Sequence, residues 1–95
     1  MKKVWILQID WTLLGESGHD IFKVFDNKRK AKNEFIEYLV NERCNTWLGD
    51  FVDDELNPVE GEELDEYDFS DTYFCAEHYA SDARTEVWIE SFDVE

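Results

Sequence analysis

Between Lys3 and Leu14 apolar and polar residues alternate. Trp5, Leu7, Ile9, Trp11 and Leu13 share one parity, whereas Gln8, Asp10 and Thr12 fall on the other. A period of two sends successive side chains to opposite faces, so the spacing predicts a strand with one face toward a core. Val4 and Ile6 on the second face imply cover on that side as well over the first half of the strand. Gly15-Glu16-Ser17-Gly18 has turn chemistry, because glycine reaches positive φ without a Cβ clash. Ile21 to Phe25 then returns as a second strand, giving a hairpin.

At Lys28 the period changes. Ala31, Phe35, Ile36, Leu39 and Val40 fall on one helical stripe, with Glu34, Glu37, Asn41 and Glu42 off it. The pattern predicts a helix from about 28 to 44–48, capped by Asp26 or Asn27 and ended at Gly49. Lys28, Arg29, Lys30 and Lys32 crowd its first turns, where the macrodipole disfavours an exposed cation by up to ~1 kcal/mol. Such a cluster is either an ordinary solvated helix start or a dock for acidic groups of this chain or of a partner.

From Asp50 to Asp71 there are eleven Asp or Glu residues and no Lys, Arg or His. Asn57-Pro58 and Gly61 make its middle a loop, while Phe51, Val52, Leu64, Tyr67 and Phe69 would tack it onto the body. A short strand or helical turn fits around 62–69. Thr72 to Tyr79 reads as a strand, Ala80 to Arg84 as a turn and Thr85 to Val94 as a last strand. In that strand Val87 and Ile89 alternate with Trp88, Phe92 and Val94, and Glu90 marks the latter face as only partly buried. The order β-β-α-loop-β-β predicts a single α+β domain over residues 1–95. Its sheet is four-stranded and mainly antiparallel, one helix packs on one face, and a long acidic loop links helix and third strand. The face away from the helix carries more aromatics than one helix can cover.

Composition supports a folded chain. Of its 95 residues, 43% are hydrophobic and 16% aromatic, enough apolar surface for one core. The net charge is −15 and unevenly spread. Residues 1–43 hold 8 basic and 7 acidic side chains; residues 44–95 hold Arg84 against 17 acids. Direct binding to nucleic acid or to an anionic membrane is disfavoured, since affinity for phosphates comes from Lys and Arg. A positively charged protein is the favoured partner, a nuclease or other nucleic-acid-binding protein being the most economical choice. The rival reading is that acidity only keeps a small protein soluble.

Few residues suggest catalysis or metal chemistry. Cys75 and His78 are close in sequence, but three residues apart on a strand they point to opposite faces. Cys44 reads as a small buried apolar residue at the helix end. A zinc site would need the scattered His19, Cys44, Cys75 and His78 to converge, and no paired spacing supports it. Asp53-Asp54-Glu55 and Glu62-Glu63 lack the spacing of an EF-hand loop and would hold divalent cations weakly at most. The expectation is a protein that is not an enzyme and needs no cofactor or metal. Lys2-Lys3 before an apolar run looks superficially like a signal peptide, but Gln8 and Asp10 interrupt it and no cleavage site follows. With two cysteines and no apolar run near ~20 residues, a cytoplasmic protein with reduced thiols is expected.

In size and charge alone, the chain resembles small acidic phage-encoded inhibitors of CRISPR and restriction nucleases, and immunity proteins that neutralise nucleases. That resemblance implies a decoy occupying a basic groove. The expected contact surface comprises Asp53, Asp54, Glu55, Glu62, Glu63, Asp65, Glu66 and Asp68, with Glu77, Glu86, Glu90 and Asp93 from the last hairpin. Eleven carboxylates along twenty-two extended residues give one charge per roughly 6.6 Å, about half the density of a nucleic-acid strand. The segment would therefore need the last hairpin beside it. The alternative function is a non-catalytic housekeeping or scaffold domain, a homodimer through its aromatic sheet face.

Overall fold

The computed structural model describes residues 2–61 and 64–94, with Phe22 described by its backbone. The strands are β1 (Lys2–Leu13), β2 (Glu16–Phe25), β3 (Glu66–Phe69), β4 (Tyr73–His78) and β5 (Ala83–Val94). They form one sheet in the order β2-β1-β5-β4-β3, every neighbouring pair antiparallel. The helix α1 (Lys28–Asn45) follows β2, and a 3-10 turn, Trp47–Asp50, follows α1. The α+β class is as expected, but among the described residues the sheet has five strands instead of four. The fifth lies inside the acidic segment. Tyr67 and Phe69 explain it: both rings pack edge-on against Phe74, at 6.1 and 5.7 Å, and pull an otherwise acidic tetrapeptide onto β4.

The long acidic loop is correspondingly shorter and more structured than expected. Val52 bridges Pro58, and the Asp53 N–H donates to the Asn57 carbonyl at 2.8 Å. Asp53 Oδ1 accepts from the Glu55 and Asn57 N–H groups at 2.9 and 3.0 Å, closing the turn between them. Leu48, Val52 and Leu56 are buried, so this segment closes the core beside α1.

The core lies between α1 and one face of the sheet. Leu7 and Ile9 of β1, Phe74 and Ala76 of β4 and Val87 of β5 meet Ala31, Phe35 and Leu39 of α1. The helix contacts the sheet along one i, i+4, i+8 row, which leaves Ile36 and Val40 exposed although sequence spacing put them on the buried stripe. Asn27 is the N-cap, its Oδ1 accepting from the Arg29 and Lys30 N–H groups at 2.8 and 3.3 Å. α1 stops at Asn45, where Thr46 Oγ1 donates to the Glu42 carbonyl at 2.6 Å. Gly49 therefore does not end the helix. It is needed because a Cβ there would meet the Arg43 carbonyl oxygen at 2.5 Å.

The first hairpin turn is also tighter than expected. Leu13 pairs with Glu16, leaving Leu14 and Gly15 as a two-residue loop with φ of 52° and 86°. Positive φ at both positions belongs to the turn whose twist matches the flanking strands. Glu16, Ser17 and Gly18 lie in β2 instead. A Cβ at Gly18 would come within 2.6 Å of Trp11 Nε1, so the glycine makes room for the indole of the opposite strand.

Candidate functional site: the uncovered sheet face

Strand period assigns every second residue to the face opposite α1, and no helix or strand among the described residues covers it. The register lines these residues up in rows. One row runs Glu66, Glu77, Arg84, Thr12, Ser17, and the next runs Asp68, Cys75, Glu86, Asp10, His19. A third runs Tyr73, Trp88, Gln8, Ile21, followed by Glu90, Ile6 and Val24. Neighbours within a row are ~4.8 Å apart, and rows follow one another at about 6.7 Å. The face thus grades from carboxylates at the β3 end to apolar residues toward β2 and the last residues of β5. Ile21 is 62% exposed, Val24 57% and Phe92 41%.

Arg84 organises the charged half. Its Nε lies 3.5 Å from Glu77 Oε1 and its Nη2 3.0 Å from Glu86 Oε1. The Tyr73 hydroxyl donates to Glu86 Oε2 at 2.6 Å, and this bond to a carboxylate, with burial, raises the phenol well above its usual range. Glu90 Oε1 accepts from Gln8 Nε2 and from the Trp88 indole N–H, both at 2.9 Å. His19 Nδ1 sits 2.5 Å from Asp10 Oδ1, with its ring 5.8 Å from that of Trp88. Such bonds fix carboxylate positions before any partner arrives, which lowers the ordering cost of association.

One contact runs against stability. Glu66 and Glu77 face each other directly across β3 and β4, where like charges repel. The Glu77 carboxyl is raised above its ordinary value, first by burial and then by the bond to Glu66, despite the opposing pull of Arg84. The charges of Glu66, Glu77 and Asp65 also raise the Tyr79 phenol, that of Glu66 most of all.

The sheet brings together five of the acids expected at the contact surface: Glu66, Asp68, Glu77, Glu86 and Glu90. Asp65 stands at their rim, its Oδ2 accepting from the Tyr79 N–H at 2.7 Å. Asp93 has the other parity and lies 3.9 Å from Lys3. Asp53, Asp54 and Glu55 belong to the turn over the core on the helix side, near Tyr67, whose hydroxyl donates to the Leu56 carbonyl at 2.7 Å. The expected surface is therefore split by the sheet, and Glu62 and Glu63 lie outside the described residues. Sequence reasoning missed the role of Arg84, although Arg84 and Glu86 two apart on a strand already share a face.

The basic start of α1 takes one acid from the far end of the segment. Lys32 Nζ lies 2.8 Å from Asp71 Oδ2, and this contact holds the Asp71 carboxyl below its usual value. Cys75 and His78 do face opposite ways. Cys75 is buried, its thiol raised mainly by burial, whereas the His78 ring packs 4.6 Å from Phe51. Cys44 is exposed, contrary to the buried role expected, because it lies away from the Ala31–Phe35–Leu39 row. Among the described residues no three His, Cys, Asp or Glu side chains gather as a metal site, and no helix is long and apolar enough to cross a membrane. Comparison with family models, with curated proteins and with solved structures finds no match to this chain.

Proposed function

We propose that the chain is a non-catalytic protein-binding module whose uncovered sheet face takes a basic surface of another protein. The finer reading is an inhibitor or decoy that occupies a basic groove otherwise used by nucleic acid, in the manner of anti-CRISPR, anti-restriction or immunity-type proteins. The observation that carries it is the fixed acidic row pattern. Among the described residues six carboxylates, from Asp10, Glu66, Asp68, Glu77, Glu86 and Glu90, share the face with Arg84 and, at its far end, Lys2. The opposition of Glu66 and Glu77, which Arg84 relieves only in part, supports it, since an incoming Lys or Arg would reduce the remaining repulsion.

The test is capture on a panel of basic nucleases with their duplex substrate as competitor, read across salt concentrations. Binding should fall steeply with salt and be displaced by duplex. A combined Glu66→Gln, Asp68→Asn, Glu90→Gln variant should lose most of it. Asp53→Asn, Asp54→Asn, Glu55→Gln, on the other side of the sheet, should bind as before. Equal losses from both sets would mean that bulk charge, not this face, is responsible.

A second reading rests on the apolar half of the same face, where Ile21, Val24 and Phe92 are all exposed. A homodimer burying that half would suit a scaffold domain. Light scattering at low protein concentration separates the two readings, because a monomer at every concentration removes the second.

A further inference from the structure

On the helix side, at the far end of the sheet from β3, a cleft of about 240 Å³ opens between the β1–β2 hairpin and the second half of α1. Trp11, Tyr38 and Trp47 line it together with the carboxylates of Asp20 and Glu42. We propose that this cleft is a second binding site, separate from the acidic sheet face, and that its ligand is an organic ammonium cation.

Both indoles are held by contacts that do not need a ligand. Trp11 lies against β2 in the space left by Gly18. The Trp47 N–H donates to Thr85 Oγ1 at 3.3 Å, and its ring stands edge-on to Phe51 at 5.5 Å. Aromatic faces attract a cation through their quadrupole, tryptophan most strongly, and they do so more when the cation is desolvated. The acids add charge of the right sign. Glu42 lies one helical turn beyond Tyr38 and hydrogen-bonds to its hydroxyl; burial, then Glu42, raises the Tyr38 phenol, with a smaller push from the charge of Asp20, which lines the same cleft. Among the described residues neither Asp20 nor Glu42 is in an ion pair.

Arg84 borders the cleft but does not neutralise it. Its guanidinium is turned to the other sheet face, where Glu77 and Glu86 hold it. The result is a preformed recess with two aromatic walls fixed from behind and two carboxylates without a cation. Its volume is below the ~300 Å³ at which sites for drug-sized ligands begin, so it suits a small head group. Such a group could belong to a free amine or to a methylated lysine of another protein, and the chemistry of recognition is the same.

The experiment is a titration of the full chain followed through the indole N–H resonances. The probes are choline, its neutral carbon analogue 3,3-dimethylbutan-1-ol, and a short peptide carrying trimethyllysine. Choline should shift the Trp11 and Trp47 signals saturably, leave Trp5 and Trp88 in place, and bind about tenfold more tightly than the neutral analogue. Asp20→Asn with Glu42→Gln should weaken choline several-fold without lowering the urea midpoint. Tighter binding of the peptide than of choline assigns the site to a protein side chain, and the reverse assigns it to a free amine. Equal affinity for choline and the neutral analogue overturns the proposal, since the cleft is then merely apolar. Shifts spread over all four indoles, or no saturation, overturn it too.

Discussion

The two faces of the sheet are built from the same strands and obey different rules. On the helix side, Leu7, Ile9, Phe74, Ala76 and Val87 are buried against α1 and the closing segment around Val52 and Leu56. On the other side the same strands present Asp10, Glu86, Glu90, Glu77 and Trp88 in a hydrogen-bonded array with little cover. Burial of apolar area drives folding, so the first face accounts for most of the stability. The second contributes position: Arg84, Tyr73 and Gln8 hold acids in place at a cost in repulsion. The acids are not confined to that face, since Asp53, Asp54, Glu55, Asp20 and Glu42 lie on the helix side; what distinguishes it is that its carboxylates stand in register and are held by neighbouring side chains.

The sharpest way to break that contrast is to truncate one aromatic on each face. Phe74→Ala, at a fully buried site, should lower unfolding free energy by about 3–5 kcal/mol in a urea titration. Phe92→Ala, at a position 41% exposed, should cost less than about 1 kcal/mol. If the two losses prove similar, the open face is covered in solution by a second copy. Arg84→Gln comes next. It leaves Glu77 and Glu86 without their cation at partly buried positions, and a loss of about 1–2 kcal/mol in the same assay is expected. A neutral result would mean that water serves the two acids as well as Arg84 does.

The hairpin turn gives a change of opposite sign. Leu14 is 77% exposed and sits at φ 52°, a conformation that costs a non-glycine residue about 1–2 kcal/mol. Leu14→Asn tolerates that conformation and creates the Asn-Gly pair the turn favours, so a gain of about 1 kcal/mol is expected by thermal unfolding. A loss would show that Leu14 makes an apolar contact worth more than the strain.

What could be read from the chain was whatever local periodicity controls. Ten alternating residues marked β1, the Ala31–Phe35–Leu39 spacing marked α1, and Trp88, Phe92 and Val94 marked a sheet face that one helix leaves bare. β3 was only faintly legible, because Glu66-Tyr67-Asp68-Phe69 has weak strand propensity and is held by rings that contact Phe74 only after the chain has folded. The turn was misplaced for a similar reason. Gly18 looks like a turn residue, yet its lack of a side chain serves Trp11 across the hairpin. In the candidate site, parity alone already separated Glu86 and Glu90 from Asp93; grouping acids by abundance hid that signal. The split between Asp53–Glu55 and Glu66–Asp68 could not be read, since it depends on which side of the sheet the closing segment takes.

The smallest expected effect carries the most information about why the acids are there. Glu66→Gln removes one half of the like-charge pair with Glu77 and should stabilise the fold by about 0.5 kcal/mol, while weakening any basic partner bound to this face. The pH dependence gives an independent check. Glu77 has a folded-state pKa raised above 4.5, so the folded chain holds its proton more tightly than the unfolded chain does. Its contribution therefore falls as pH rises from 4.5 through the raised value, and mild acidification from neutrality restores it. Asp71 acts in the opposite sense: Lys32 holds its pKa below 3.8, so its contribution is present above 3.8 and is lost as pH falls through the lowered value. The melting temperature should thus rise on going from neutral to mildly acid buffer and drop again below about pH 4. In Glu66→Gln the rise should shrink, because one of the causes raising Glu77 is gone. Added salt should produce a similar rise at neutral pH by screening the net charge of −15. If salt stabilises the parent and Glu66→Gln equally, the repulsion is a property of the whole surface; a smaller salt effect in the variant localises it to the β3–β4 pair.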